Sequence, residues 1–286
     1  MSAAVETPGS RTPRPSASDV IVKAVDGIMT ALAQIGDFAT FSARTIGSIG
    51  ITVKRYHREV LRQLKDIAWG SGALVVGGGT VGVMVLLAVS AGTSLGIEGF
   101  NGLEIVGLAP LTGFISASAN TRELAPLIAA IALGAQVGCR FTAQIGSMKM
   151  NQEIDAMKVM GIDPVRALLV PRVLATTLVS LLLSSLVTLV GLVGGFFFSV
   201  FIQNVTPGSF VASMTLITGV SDVVISMVKA MLFGLAAGLV ACYKGTHVGG
   251  GPAGVGNAVN ETVVFSFVLL FMINLVVTAI GFEVTK

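Results

Sequence analysis

Apolar and polar positions follow three different rhythms along this chain. The first 19 residues, rich in Pro, Ser, Thr and Ala, hold no apolar run. They bury too little surface to offset the entropy of ordering, so residues 1–20 are expected to form a disordered cytoplasmic tail. From Ile21 the apolar positions recur at spacings of four and three (Ile21, Val25, Ile28, Leu32, Ile35), with Lys23, Asp26, Thr30, Gln34 and Asp37 on the other faces. That is a one-sided helix, too polar to span a bilayer. Residues 21–66 read as an amphipathic helical region at the membrane interface or packed beside the spans, with a coiled-coil seam as the alternative. After Ile67 charge disappears for long stretches. With about 20 apolar residues needed per crossing, five spans are expected, near residues 67–91, 118–143, 173–202, 223–243 and 262–282. Apolar sequence from Ile105 to Cys139 is too long for one simple crossing, so residues 105–117 are expected to be partly re-entrant or to cap the outer face.

The fold class that follows is an all-α integral membrane protein: an N-terminal interfacial amphipathic helix, about five transmembrane helices, and one membrane domain over residues 67–286. Composition agrees. The chain is 53% hydrophobic and 12% charged, with 35 glycines, whereas a soluble domain carries about a quarter charged residues. Glycine in such number suits membrane helices, whose backbones approach closely where side chains are small. Placement of charge sets the orientation. Lys54, Arg55, Arg58, Arg62 and Lys65, then Arg140 to Arg172, then Lys244, all fall on one side of the five spans. Positive residues mark the cytoplasmic side, so the expected topology is multi-pass in the cytoplasmic (inner) membrane, N-terminus inside and C-terminus outside.

Between the second and third spans lies Ala143–Arg172, a connecting segment (144–172) that gathers Lys149, Glu153, Asp155, Lys158, Asp163, Arg166 and Arg172. Within it Gln152–Met160 suits a short amphipathic helix, with Ile154, Met157 and Gly161 at spacings of three and four. Gly161 offers a C-terminal stop, and Asp163-Pro164 can start the next helix with Pro at its tolerated first position. Met148, Met150, Met157 and Met160 add a polarisable apolar surface able to fill a partner's groove. A docking helix and an ordinary solvated loop helix both fit this pattern.

Several chemistries are absent from the pattern. No G-x-x-x-x-G-K-[ST] occurs, so the chain has no P-loop for ATP phosphates. Val76-Gly77-Gly78-Gly79 and Gly249-Gly250-Gly251 lead into no Lys-Ser/Thr and read as packing or loop glycines. Cys139 and Cys242 near inner span ends, and two histidines without companion ligands, point to no disulfide and no metal site. The charges within apolar sequence stand out instead. Arg122, Glu123 and Lys229 should face the bundle interior with partners. Two readings stand for them: Glu123 and Lys229 border a cavity for a lipid head group or relay motion, or they form an internal ion pair kept for packing. Three function classes are open: one subunit of a larger transporter, a self-sufficient secondary carrier, against which five spans with so few buried acids argue, and a membrane scaffold that recruits soluble partners.

The motifs also carry a resemblance. Gln152-Glu153-Ile154-Asp155-Ala156, Met160-Gly161-Ile162-Asp163-Pro164 and Pro171-Arg172 resemble the cytoplasmic motif of the MlaE/YrbE family of ABC-transporter permeases, whose first segment reads Glu-Glu-x-Asp-Ala. Gln152 departs from that pattern. The resemblance extends to Arg122-Glu123-Leu124-Ala125-Pro126, Lys229 and Gly254-Val255-Gly256, over roughly residues 55–282, and is nearest the YrbE permeases of actinobacterial Mce systems. It implies a non-catalytic subunit whose coupling helix, Gln152–Met160, sits in a groove of a cytoplasmic ABC ATPase dimer. Glu153 and Asp155 would be its polar contacts and Met157 and Met160 its apolar ones, with Asp163 and Arg166 beside them. It implies a second YrbE-type permease, Mce-domain proteins on the outer side and a lipid substrate, with ATP and Mg bound by the ATPase, no cofactor on this chain and no nucleic acid. Arg122, Glu123, Lys229 and Asn274 would form the cavity or internal polar network, Asn274 standing where some relatives carry Asp.

Overall fold

An apolar chain in a membrane must satisfy its backbone internally, and helices do so within one segment. The computed structural model, which describes residues 17–69 and 79–284, is accordingly a succession of helices. They are α1 (Ala17–Gly47), α2 (Ile49–Trp69), α3 (Gly79–Glu104), α4 (Thr112–Ala119), α5 (Ala125–Leu133), α6 (Cys139–Met150), α7 (Glu153–Val159), α8 (Val170–Phe201), α9 (Pro207–Ile217), α10 (Val220–Thr246) and α11 (Gly251–Val284). Three π-helical turns, Asn120–Leu124, Gly134–Gly138 and Val165–Leu169, join α4 to α5, α5 to α6 and lead into α8. Among the described residues five helical runs are long and apolar enough to cross a membrane: Val81–Glu104, Ala109–Met150, Val165–Phe201, Val220–Thr246 and Gly251–Gly281. The protein is therefore a multi-pass membrane protein.

Residues 1–44 and 45–286 make two units. In the first, α1 begins at Ala17, inside the stretch expected to be tail, while residues 1–16 lie outside the described residues. Of the expected stripe, Leu32 and Ile35 are exposed; the side chains of Ile21, Val25 and Ile28 lie outside the described ones. In the second unit α2 is broken at Tyr56, whose φ of −119° and ψ of 24° are not helical. Its basic residues Lys54, Arg55, Arg58, Arg62 and Lys65 are all exposed.

Several boundaries differ from the sequence reading. Among the described residues the first run long and apolar enough to cross is Val81–Glu104, which continues past the expected end at residue 91. Absence of charge from Ile67 set the earlier boundary, but α2 continues to Trp69, and residues 70–78 lie outside the described ones. Glu98 and Glu104, expected in a connection, are on α3. Residues 109–119 run helically into the second crossing after a turn at 105–108, where Gly107 takes φ +73°. The final helix begins at Gly251 and absorbs most of the glycine-rich stretch once expected as a loop. The connection after α8 contains a helix of its own, α9. The third and fourth crossings fall close to where charge-free sequence placed them. At 1.5 Å per residue the 32 residues of α8 reach about 48 Å, longer than the roughly 30 Å hydrocarbon core.

Contact between α3 and α8 is glycine on glycine. A Cβ on Gly92 would run into the Gly191 carbonyl, and one on Gly195 would lie 2.6 Å from Ser116 Oγ. Around this seam Met84, Ala88, Ala129, Leu133, Val179 and Val187 form the main apolar core. Buried polar groups cross-link the bundle: Asn120 Nδ2 donates to Thr188 O (3.1 Å), Ser180 Oγ to Ala230 O (2.6 Å), and Thr142 Oγ1 to Ala241 O (3.2 Å). In lipid such bonds hold helices together where apolar side chains give no aqueous driving force.

Candidate functional site

The α6–α7 corner is made by backbone conformation. Gln152 stands in the left-handed region at φ 60°, turning the chain sharply after α6, and its carbonyl accepts from Ala156 N at 2.9 Å. Helix α7 then ends as Gly161 suggested. With Gly161 at φ +74°, Ile162 N donates to Met157 O and Gly161 N to Lys158 O, each at 3.0 Å, the paired bonds of a Schellman cap. Asp163 Oδ1 accepts from Val165 N at 3.0 Å and pairs with Arg166 at 3.2 Å, while Pro164 follows it. Gly161→Val is expected to cost about 1 to 2 kcal/mol, the penalty for a β-carbon in the left-handed region. Faster limited proteolysis at residues 160–164 would report it, with Gly161→Asn milder.

What α7 presents is sorted by exposure. Ile154 is buried at 5% and anchors the helix to its own chain. Met157 is half-buried, while Val159 (89%) and Met160 (67%) stand out with Met150 and Ile162. Gln152 and Glu153 are exposed, Glu153 accepting a 3.4 Å bond from Asn151 Nδ2. Asp155 is paired with Lys158 (2.9 Å) and Lys149 (3.4 Å). The hydrogen bond from Lys158, then the charges of Lys149 and Lys158, hold its carboxyl below the ordinary value of 3.8. A depressed carboxylate contributes above its unfolded pKa and loses that contribution as pH falls through the folded one. Asp155 therefore stays ionised at neutral pH. The sequence reading named Met157 and Met160 and missed Val159, which follows from the helical period once Ile154 is fixed inward.

The second cluster is built on a missing donor. Pro126 has no N–H, so the Arg122 carbonyl, four residues earlier, loses its α-helical partner. Lys229 Nζ of α10 takes that place, donating to Arg122 O at 3.0 Å, to Glu123 Oε1 at 2.7 Å and to Thr278 Oγ1 at 2.8 Å. Lys229 is 1% exposed and has all three ammonium protons placed. Glu123 also accepts from Asn274 Nδ2 at 3.2 Å and from Thr278 at 3.1 Å. Arg122 turns the other way, to Asp222 at 2.7 Å, and Asp222 in turn accepts from Gly219 N at 3.1 Å, capping α10. The structure thus brings Arg122, Glu123, Lys229 and Asn274 together through the Asn120–Leu124 π turn, α10 and α11. The cleft between them is about 20 Å³, the room of about one water, so these charges face one another.

Asp222 and Thr278 were missed in the sequence. Asp222 had a signal: an acid three residues after Gly219, ahead of an apolar run, is half of a capping box. Thr278 had none, because threonine is unremarkable in a membrane helix. Arg172, the last charge of the connecting segment, is 6% exposed with its guanidinium 5.4 Å from the Phe141 ring centre.

Comparison with known proteins now decides the family. The family model described as Permease MlaE matches residues 70–280, taking in α3 to α10, nearly all of α11, both clusters, four crossings whole and all but the last residue of the fifth. The chain belongs to the MlaE permease family. Similar proteins include a probable ABC transporter permease protein of Rickettsia typhi, 28% identical over 87% of this permease and 93% of the relative. One from Synechocystis sp., also named a probable ABC transporter permease protein, is 29% identical over 74% and 80% of the two chains. The chloroplastic protein trigalactosyldiacylglycerol 1 of Arabidopsis thaliana is 28% identical over 71% of this permease and 58% of its own length.

Proposed function

We propose that this permease is one of two membrane subunits of an ABC-type Mce lipid transporter, converting the motion of a cytoplasmic ATPase dimer into movement of lipid across the envelope. The observation that carries the reading is α7: a short capped helix between two long crossings, anchored by Ile154, with Glu153 and Asp155 beside exposed Val159 and Met160. A capped helix of that kind, joined to α8 through the short turn at 160–164 and the Val165–Leu169 π turn, can pass a push from a bound partner into a crossing. In this reading α7 and the basic face of α2 lie in the cytoplasm, the N-terminus is inside, and the C-terminus emerges on the outer side of the inner membrane. Mce-domain proteins collect or deliver lipid there, and a second YrbE-type permease completes the core. Import is the direction the Mce resemblance implies. The naming of relatives as ABC transporter permeases, and of one after a galactolipid, supports a lipid cargo. ATP and Mg belong to the ATPase; this chain's part is mechanical.

The test is affinity purification of the tagged chain in mild detergent, wild type against Glu153→Arg/Asp155→Arg. Like charges brought together cost several kcal/mol, and each 1.4 kcal/mol is tenfold, so ATPase recovery should fall by about tenfold or more. The second permease should remain. If no ATPase is recovered even with wild type, the reading fails, and a scaffold or secondary carrier becomes the better account.

A further inference from the structure

A second cavity, about 340 Å³, shares the Asn120–Leu124 π turn and α10 with the ion cluster: Thr121 lines it while Arg122 and Glu123 line the small cleft. Helices α8 and α9 complete its wall, and none of its lining residues is charged. Its hydroxyls divide into two groups. Ser185, Thr188 and Thr215 donate to carbonyls one turn back in their own helices, at 3.0, 2.9 and 3.2 Å, as hydroxyls in membrane helices ordinarily do. Among the described residues none hydrogen-bonds to the side chains of Thr121, Ser184, Thr218 or Ser226, although Thr121 and Ser184 are only 3% exposed and Ser226 5%, and Thr218 Oγ1 is buried. One helical turn from Ser184, Ser180 bonds across to Ala230 O at 2.6 Å, so the α8–α10 contact offers partners where they are wanted.

Hydroxyls without partners in apolar surroundings are unfavourable; Thr218 Oγ1 is fully buried and unpartnered, and with Thr121, Ser184 and Ser226 lining the same chamber it describes a site that expects a polar visitor. The chamber is large enough for a ligand, and Leu189, Leu192 and Met227 on its wall suit an apolar body. A phosphate, carboxylate or ammonium entering it would find no opposite charge, because Arg122 is committed to Asp222 and Lys229 to Glu123. Burying a charge without a partner is far more costly than burying a hydroxyl or an ester carbonyl.

We propose that this cavity binds the uncharged polar group of a neutral lipid, a hydroxyl or ester carbonyl on an apolar body, through Thr121, Ser184, Thr218 and Ser226. The proposal rests on the lipid reading above and narrows its cargo to lipids without a charged head group at this site.

The experiment reconstitutes the full chain in phosphatidylcholine nanodiscs. It compares a photoreactive diacylglycerol with a photoreactive phosphatidic acid of the same acyl chains, mapping the labelled peptides. The diacylglycerol probe should label segments 117–121, 184–192 and 214–227, and unlabelled diacylglycerol should compete. Ser184→Ala/Ser226→Ala should cut labelling by about tenfold, as the loss of two hydrogen bonds implies. Ser185→Ala/Thr215→Val, which removes only hydroxyls bonded within their own helices, should leave it unchanged. Equal labelling by phosphatidic acid, no labelling, or full labelling of the Ser184→Ala/Ser226→Ala variant each overturns the proposal; matched thermal unfolding of the two double variants excludes a folding effect. Because the readout needs no ATPase, labelling without ATP-dependent transport would leave this site standing and remove the transporter reading, and transport without labelling would do the reverse.

Discussion

Under the proposed function, Lys229→Met is expected to abolish transport by the assembled complex, and it should destabilise the chain by about 3 kcal/mol, the low end of what breaking a buried ion pair costs. The low end applies because the Glu123 side chain is 35% exposed, so part of its stranded charge is solvated. The substitution removes three bonds at once: to Glu123, to Thr278, and to the Arg122 carbonyl that Pro126 leaves without a partner. A double variant, Glu123→Gln/Lys229→Met, separates the two roles this pair could have. With the stranded carboxylate gone, more than half the lost stability should return by thermal unfolding. If transport returns with it, the pair serves packing alone. If stability recovers while transport stays absent, the charges act in the mechanism, which is the outcome expected from their position at a π turn between the second, fourth and fifth crossings.

That position explains why the cluster exists where it does. A proline inside a membrane helix leaves a carbonyl that water cannot reach, and neighbouring helices must satisfy it. Here the donor is a lysine, which needs a counter-charge, and Glu123, the residue next to the freed carbonyl, supplies it. Asn274 and Thr278, one turn apart on α11, fill the remaining acceptor sites of the carboxylate. Asn274 donates where an Asp would bring a second negative charge, so in this chain one cation faces one carboxylate.

Much of this architecture was legible before any coordinates. Charge-free runs lay close to the third and fourth crossings because long helices in lipid tolerate little charge, and Gly161 marked the end of α7 and Asp163-Pro164 the start of the helix after it, through backbone chemistry that depends only on neighbours in sequence. Boundaries went astray where charge was a poor guide. Glu98 and Glu104 ride on the last turns of α3, and Gly251–Glu261 is helical despite its glycines. The polar network was half legible. Arg122, Glu123 and Lys229 declared themselves as charges in apolar sequence, and Pro126 already implied an orphaned carbonyl at Arg122. That Lys229 would meet this carbonyl depends on the register of α10 against α5, which no local pattern encodes. The hydroxyl-lined chamber was invisible for the same reason: serine and threonine are common in membrane helices, and only packing distinguishes those that bond to their own backbone from those that do not.

The largest effect expected from the smallest change is at the glycine seam. Gly92→Ala places a methyl group against the Gly191 carbonyl, and the obstacle is backbone, which cannot rotate away. Overpacking of this kind costs about 1 to 3 kcal/mol and more where nothing yields, so α3 should separate from α8 and little monodisperse protein should be recovered. Gly96→Ala meets Ser199 Oγ at 3.1 Å and the Gly195 carbonyl at 3.3 Å, contacts that small shifts relieve, and should be intermediate. Gly102→Ala, on the same helix with open space around it, should be neutral or stabilising by up to about 1 kcal/mol, since alanine exceeds glycine in helix propensity. Opposite signs at Gly92 and Gly102 in thermal unfolding would establish that close backbone contact holds α3 to α8; equal midpoints would refute it. Under the proposed mechanism the seam also carries motion. Helix α8 follows α7 through the turn at 160–164 and one π turn, so a push delivered at α7 and carried along α8 reaches α3 through these two backbones in contact.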